Sequence, residues 1–164
     1  MPRFLFSLIS LTFCAVLATP SVVLASDDFF DKPAASAKVP EVPAWLTDVR
    51  KSIKDKKYDD AYQKLVDANQ TGSADWNNLM GFTARKKSSP ELDRSEYFYK
   101  EALKIDPNHL GTLEYYGELF LMKEDMKGAV TMLERLQKAC PKGCEQIQEL
   151  KTSIANYRKQ ASSY

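Results

Sequence analysis

From Ala44 onward, apolar residues recur at three- and four-residue spacing, and Gly, Pro, Ser and Asn interrupt them at short, regular intervals. That spacing draws one apolar stripe along a helix, and no segment shows the strict alternation of a half-buried strand. The pattern predicts one helix pair over "PAWLTDVRKSIKDKK" and "YDDAYQKLVDANQ". A second pair covers "SADWNNLMGFTARKK" and "PELDRSEYFYKEALKI", and a third covers "NHLGTLEYYGELFLMKE" and "MKGAVTMLERLQKAC". "GCEQIQELKTSIANYRKQ" forms a closing helix. Ser73 or Asp75, and Asn108, stand where helix caps are needed, and Pro90–Glu91 brings an acid into a first turn.

The helices repeat. Pro107 precedes Pro141 by 34 residues, and "ALKIDPNH" and "LQKACPKG" share one helix-end design. Tyr58, Leu92 and Met126 open the second helices with an apolar plug, and Ala61, Ser95 and Ala129 follow as small residues where paired helices approach closely. Gly81 and Gly117 occupy equivalent points in first helices, 36 residues apart, which a two-residue insertion in "KKSSPELD" explains. One pair cannot bury its own apolar face, so neighbouring pairs must stack.

The N-terminus has a different grammar. Arg3 precedes the uncharged run "FLFSLISLTFCAVLA", and Val23 and Ala25 supply small residues before "SDD". This three-part pattern is that of a secretory signal peptide, residues 1–25, cut after Ala25. A retained anchor is the rival reading, but the run is shorter than the roughly 20 apolar residues of a membrane span. Lipidation at Cys14 is disfavoured because Cys14 lies inside the apolar run without a small residue just before it. Residues 26–43, "SDDFFDKPAASAKVPEVP", lack a usable period and read as a disordered Pro/Ala-rich spacer. The expected location is outside the cytoplasm, in a bacterial periplasm, with no stable membrane insertion after cleavage.

Removing the leader balances the charge. The 23 basic residues of the full chain become 22 without Arg3, against 22 acids. A neutral exported chain has little drive toward nucleic acid. Cys14 also leaves, so the remaining cysteines are the pair in "CPKGC".

The repeated positions resemble the tetratricopeptide repeat family. Gly117, Phe120, Ala129, Leu133, Leu136 and Pro141 carry the likeness in the third pair, and Gly81, Ala84, Ser95, Tyr99, Ala102 and Pro107 in the second. The first pair is partial: Tyr58, Ala61, Leu65 and Ala68 fit, but Val49 replaces the glycine and no proline closes it. The likeness implies an all-α array over residues 44–160, with repeats at about 44–72, 73–107 and 108–143 and a capping helix at 144–160. It also implies a repeat core containing Gly81, Tyr99, Ala102, Pro107, Tyr116, Gly117, Ala129 and Pro141.

The same resemblance implies a concave groove for a protein or peptide partner. The inward-facing positions map onto Asn78, Phe82, Arg85 and Lys86, then Glu114, Glu118, Leu121 and Met122. The first set is cationic and aromatic, and the second begins with acids. A partner segment with charges of both signs around an apolar anchor is complementary to it. Glu114 and Glu118 depart from the Lys, Arg and Asn with which some family members clamp a free carboxylate. Of the adjacent aromatics, Tyr97, Phe98 and Tyr115 are the freer candidates for an exposed contact or a second helix layer.

Signals for chemistry are weak. His109, the single histidine, sits in the "PNHL" turn and reads as a helix-start residue. No catalytic residue, cofactor or metal site is expected: phosphate-cradling glycines, "CxxCH" and a two-pair cysteine pattern are all missing from the sequence. A Met/Cys copper protein using Met122, Met126, Met132, Cys140 and Cys144 is a lesser alternative, because packing accounts for Met126 and Met132. Pro141 and Gly143 turn the chain between Cys140 and Cys144, and an oxidising compartment favours a disulfide that fixes the capping helix. The leading expectation is a non-catalytic scaffold. The alternative is a structural or assembly subunit that forms homo-oligomers or acts through its convex face and capping helix.

Overall fold

The computed structural model describes residues 42–163, so the expected signal peptide and residues 26–41 of the spacer lie outside the described residues. Seven helices follow: α1 (Ala44–Lys54), α2 (Tyr58–Ala68), α3 (Ala74–Lys86), α4 (Leu92–Ile105), α5 (Leu110–Met122), α6 (Met126–Ala139) and α7 (Glu145–Ala161). They pair as α1–α2, α3–α4 and α5–α6, with α7 packed on α5 and α6. The molecule is an all-α, tetratricopeptide-like repeat array with a capping helix. None of these helices is long and apolar enough to cross a membrane.

Local sequence sets the boundaries. Ser73 caps α3 by accepting from the Trp76 N–H at 3.3 Å, and Asp125 caps α6 by accepting from the Gly128 N–H at 2.8 Å. Asp75 instead lies in the first turn of α3. The cap of α5 differs from expectation: His109 Nδ1 accepts from the Thr112 N–H at 3.1 Å. Asn108 belongs to the preceding turn, where its N–H donates to Asp106 Oδ1 at 2.9 Å. The turns inside the first and third pairs each pass through a left-handed residue, Lys56 (φ 58°) and Glu124 (φ 59°). The second pair has the longer "KSSPE" connection, closed by the Glu91 N–H donating to Ala84 O at 2.9 Å.

The core divides into two clusters. Val49, Ala61, Leu65, Trp76, Met80 and Phe98 fill the N-terminal one. Tyr99, Leu113, Tyr116, Leu119, Leu136, Leu150 and their neighbours fill the C-terminal one. Phe98 and Tyr99 are adjacent on α4 yet serve opposite clusters, since consecutive helical side chains diverge. Phe98 is therefore not a free contact residue: it packs edge-on against Trp76, with ring centroids 5.7 Å apart. Tyr97 stays exposed, and Tyr115 is half-buried.

The small residues at the paired-helix crossings, Ala61, Ser95 and Ala129, are fully buried. Ser95 also resolves its polarity locally, donating Oγ–H to Gly81 O at 2.7 Å. Gly81, Tyr99, Ala102, Tyr116, Gly117 and Ala129 are buried. Pro107 and Pro141 are exposed in the turns after α4 and α6, where they stop helices rather than fill space. Lys100 and Lys123, with a further hydrogen bond from Tyr116, hold the Glu96 carboxyl down at about 2 against the opposing effect of burial. Along α7, Ile147, Leu150 and Ile154 turn inward, whereas Gln148, Lys151, Thr152, Ala155 and Lys159 stay exposed.

Candidate partner-binding groove

α3, α5 and α7, with α7 in the place of a further first helix, make up the inner layer: α3 packs on α5 and α5 on α7. Along that layer Phe82 bridges repeats. It meets Tyr58 edge-on at 5.9 Å and Tyr115 at 4.7 Å between centroids. Tyr58 was legible only as a helix-opening plug, but it is also the first rung of this ladder.

Arg85 lies beside the ladder and is only 3% exposed. Its guanidinium carbon stands 5.3 Å from the Phe82 centroid and 5.6 Å from that of Tyr115. Nε donates to Tyr99 Oη at 3.1 Å, Nη2 pairs with Glu118, and Nη1 approaches Met122 Sδ at 3.7 Å. Burial opposes the charge, but Tyr99 and Glu118 outweigh it, so Arg85 stays protonated. A buried ion pair of this kind fixes geometry more than it adds stability. Glu118 is held from the other side as well, accepting from Ser153 Oγ of α7 at 3.2 Å.

A cavity of about 500 Å³ opens at this end of the inner layer, lined in part by Arg85, Lys86, Glu118, Leu121 and Met122. Five of the eight expected groove residues thus share one cavity. Asn78, Phe82 and Glu114 do not line it. Asn78 and Glu114 are buried, and the Asn78 Oδ1 has no hydrogen-bond partner among the described residues. Burial first, and then the Glu149 and Glu118 carboxylates, push the Glu114 carboxyl up to about 9, with Arg85 pulling the other way. Glu114 is therefore neutral at pH 7 and does not make the groove as acidic as its side-chain type implies.

Sequence reasoning missed the wall opposite. Ser153, Asn156, Tyr157 and Gln160 of α7 line the same cavity. Their i, i+3, i+4, i+7 spacing puts them on one helix face. That spacing would have found them had α7 been treated as a fourth first helix rather than as a lid.

One constellation imitates a catalytic relay. Asp75 Oδ1 lies 3.2 Å from His109 Nε2, and His109 Nδ1 lies 2.8 Å from Thr112 Oγ1. Thr112 is fully buried, however, and its own N–H donates to Nδ1, which leaves the other ring nitrogen to donate to Asp75. The row is a helix cap tied to the preceding repeat. Among the described residues, no group of three or more His, Cys, Asp or Glu is placed to hold a metal ion.

Cys140 ends α6 and Cys144 begins α7, both as half-buried free thiols against the C-terminal cluster. The neighbouring Cys144 thiol, with burial, raises the Cys140 thiol above its ordinary range.

Comparison with known proteins places the fold. No protein-family model matches the chain. No curated protein matches it either. Among solved structures, the chain is similar to the type III secretion translocator chaperone SycD of Yersinia enterocolitica, with a TM-score of 0.59 and 13% identity. That similarity covers 77% of this chain and 92% of the chaperone chain. At this identity the likeness is one of fold, the tetratricopeptide-like helical repeat.

Proposed function

We propose that the protein is a non-catalytic, exported scaffold that docks a protein or peptide segment in the groove of its inner layer. The carrying observation is the 500 Å³ cavity walled by α3, α5 and α7, where Leu121, Met122 and Tyr157 offer apolar surface between Lys86, Glu118 and Glu124. Such a lining suits one apolar anchor side chain flanked by charges of both signs. The fold likeness to a chaperone supports a protein-interaction role in general terms. The leader-like sequence supports export to a periplasm.

Arg85 and Glu118 make poor probes because they hold each other. Lys86 and Met122 are exposed and can be changed without opening the core. The mature protein, immobilised, should enrich a discrete partner from periplasmic extract. Lys86→Glu combined with Met122→Ala should weaken that capture at least tenfold while the thermal melt stays in place. Unchanged capture removes the groove assignment.

A second reading uses the opposite layer. Tyr97 and Ile105 on α4 are 57% and 45% exposed, about two helical turns apart. Self-association through this face predicts a concentration-dependent sedimentation shift that Tyr97→Glu abolishes and the groove variants leave intact.

A further inference from the structure

We infer that Cys140 and Cys144 form a redox modification site, a dithiol that exchanges with an external disulfide and thereby sets how firmly α7 walls the inner cavity. The inference rests on the groove reading for its biological use, but its structural content stands apart from any partner.

Position is the first argument. Cys140 is the C-cap of α6 and Cys144 the N-cap of α7, so the pair spans the single joint between the array and its cap. The joint is already a turn: Gly143 takes φ +88°, and its N–H donates to Cys140 O at 3.0 Å. That closes the connection between two cysteines four positions apart, both packed against the same C-terminal cluster.

Residue choice is the second. An N-cap Ser, Thr, Asp or Asn would accept a hydrogen bond from the first turn of α7. Cys144 makes no such cap bond. The start of α7, the longest of the described helices, therefore goes without a side-chain cap, as do those of α1, α2 and α4, and carries one of the two thiols instead.

The third is leverage. α7 contributes Ser153, Asn156, Tyr157 and Gln160 to the cavity and holds Glu118 through Ser153. Glu149, also on α7, faces the buried Glu114. Any gain in the stiffness of the α6–α7 joint reaches the cavity wall through these contacts.

The chemistry balances with a small-molecule or protein disulfide as oxidant. One cysteine thiolate attacks the external disulfide, forming a mixed disulfide and releasing one thiol. The second cysteine attacks the protein sulfur of that mixed bond and releases a second thiol. Two protein S–H bonds are lost, one Cys140–Cys144 bond forms, and the external disulfide, reduced by two electrons, carries off both protons. Because Cys140 resists ionisation, the exchange accelerates as pH rises above neutrality.

The test uses oxidised and reduced glutathione on purified residues 26–164, which carry Cys140 and Cys144 but not Cys14, read by intact mass, free-thiol titration and amide hydrogen exchange. Oxidation should remove two hydrogens and both free thiols. It should also slow exchange several-fold across Glu145–Ala161 and at the end of α5, while leaving α1–α3 unchanged. Cys144→Ser, with serine at a position that favours it, should stay folded, stop at a mixed disulfide on Cys140, and lose both the two-hydrogen oxidation and the slowing of α7 exchange. A terminal product with glutathione on each cysteine overturns the inference, as does an intramolecular bond that leaves α7 exchange unaltered. None of the three readouts involves partner capture, so failure of the groove reading and failure of this one are told apart.

Discussion

Gly81 and Gly117 hold the same place in consecutive repeats, yet a methyl group added to each would strike a different kind of neighbour. At Gly81 it would come within 2.6 Å of the Tyr99 ring, supplied by the partner helix of the same pair. At Gly117 it would come within 2.6 Å of a Leu150 methyl, supplied by α7. The N-terminal side of the array thus closes on itself, and the C-terminal side closes on the cap. Equivalent positions in a repeat share a need for space without sharing what fills it.

That contrast can be broken in order of cost. Tyr99 is fully buried at the meeting of the clusters, so Tyr99→Ala should lose about 3–5 kcal/mol, read from denaturant unfolding. If the clusters depend on this ring, both should unfold together at the lowered midpoint. Gly81→Ala should cost about 1–3 kcal/mol because a packed ring has no room to yield. Gly117→Ala should cost less, since Leu150 methyl ends can turn aside, and its effect should fall on α7 protection in hydrogen exchange. Equal losses at the two sites would erase the distinction.

A pH scan sharpens the same comparison. Glu114 has a folded value of about 9 against an ordinary 4.5, so the folded state holds an extra proton between those limits. Stability is therefore fully present below about 4.5 and falls as pH rises toward 9, by at most about 1.4 kcal/mol per unit for one proton. The groups facing Glu114 are Glu149, Glu118 and Arg85, and a Glu114→Gln variant should flatten the slope. The loss should register in α5 and α7 and spare the N-terminal cluster. The smallest effect is a gain. Lys56→Gly or Glu124→Gly should each stabilise by up to about 1 kcal/mol by relieving a left-handed backbone, measured by thermal melting.

The periodic features were the legible ones. Tyr58, Leu92 and Met126 mark the starts of α2, α4 and α6, because a 34-residue rhythm of plug and small residue reports how helices cross. Phe98 was misread because its neighbours in sequence say nothing of Trp76, 22 positions earlier on the other helix of the same pair. Asn108 was chosen as a cap by residue preference, yet the backbone placed His109 there, where Asp75 of the previous repeat could orient the ring. Arg85 and Glu118 were visible as charges but not as a pair, since pairing across 33 positions depends on how repeats stack. The α7 wall of the cavity was missed for the same reason.

The exposed side of α7 has a consequence for assembly. A further helix pair stacked there would have to strip water from Gln148, Lys151, Thr152 and Lys159, with no apolar stripe to compensate. Stacking a further pair on that face of α7 would therefore gain little from apolar burial, and the polar row marks α7 as the end of the described array. The last wall of the inner-layer cavity is thus a single helix with a polar back.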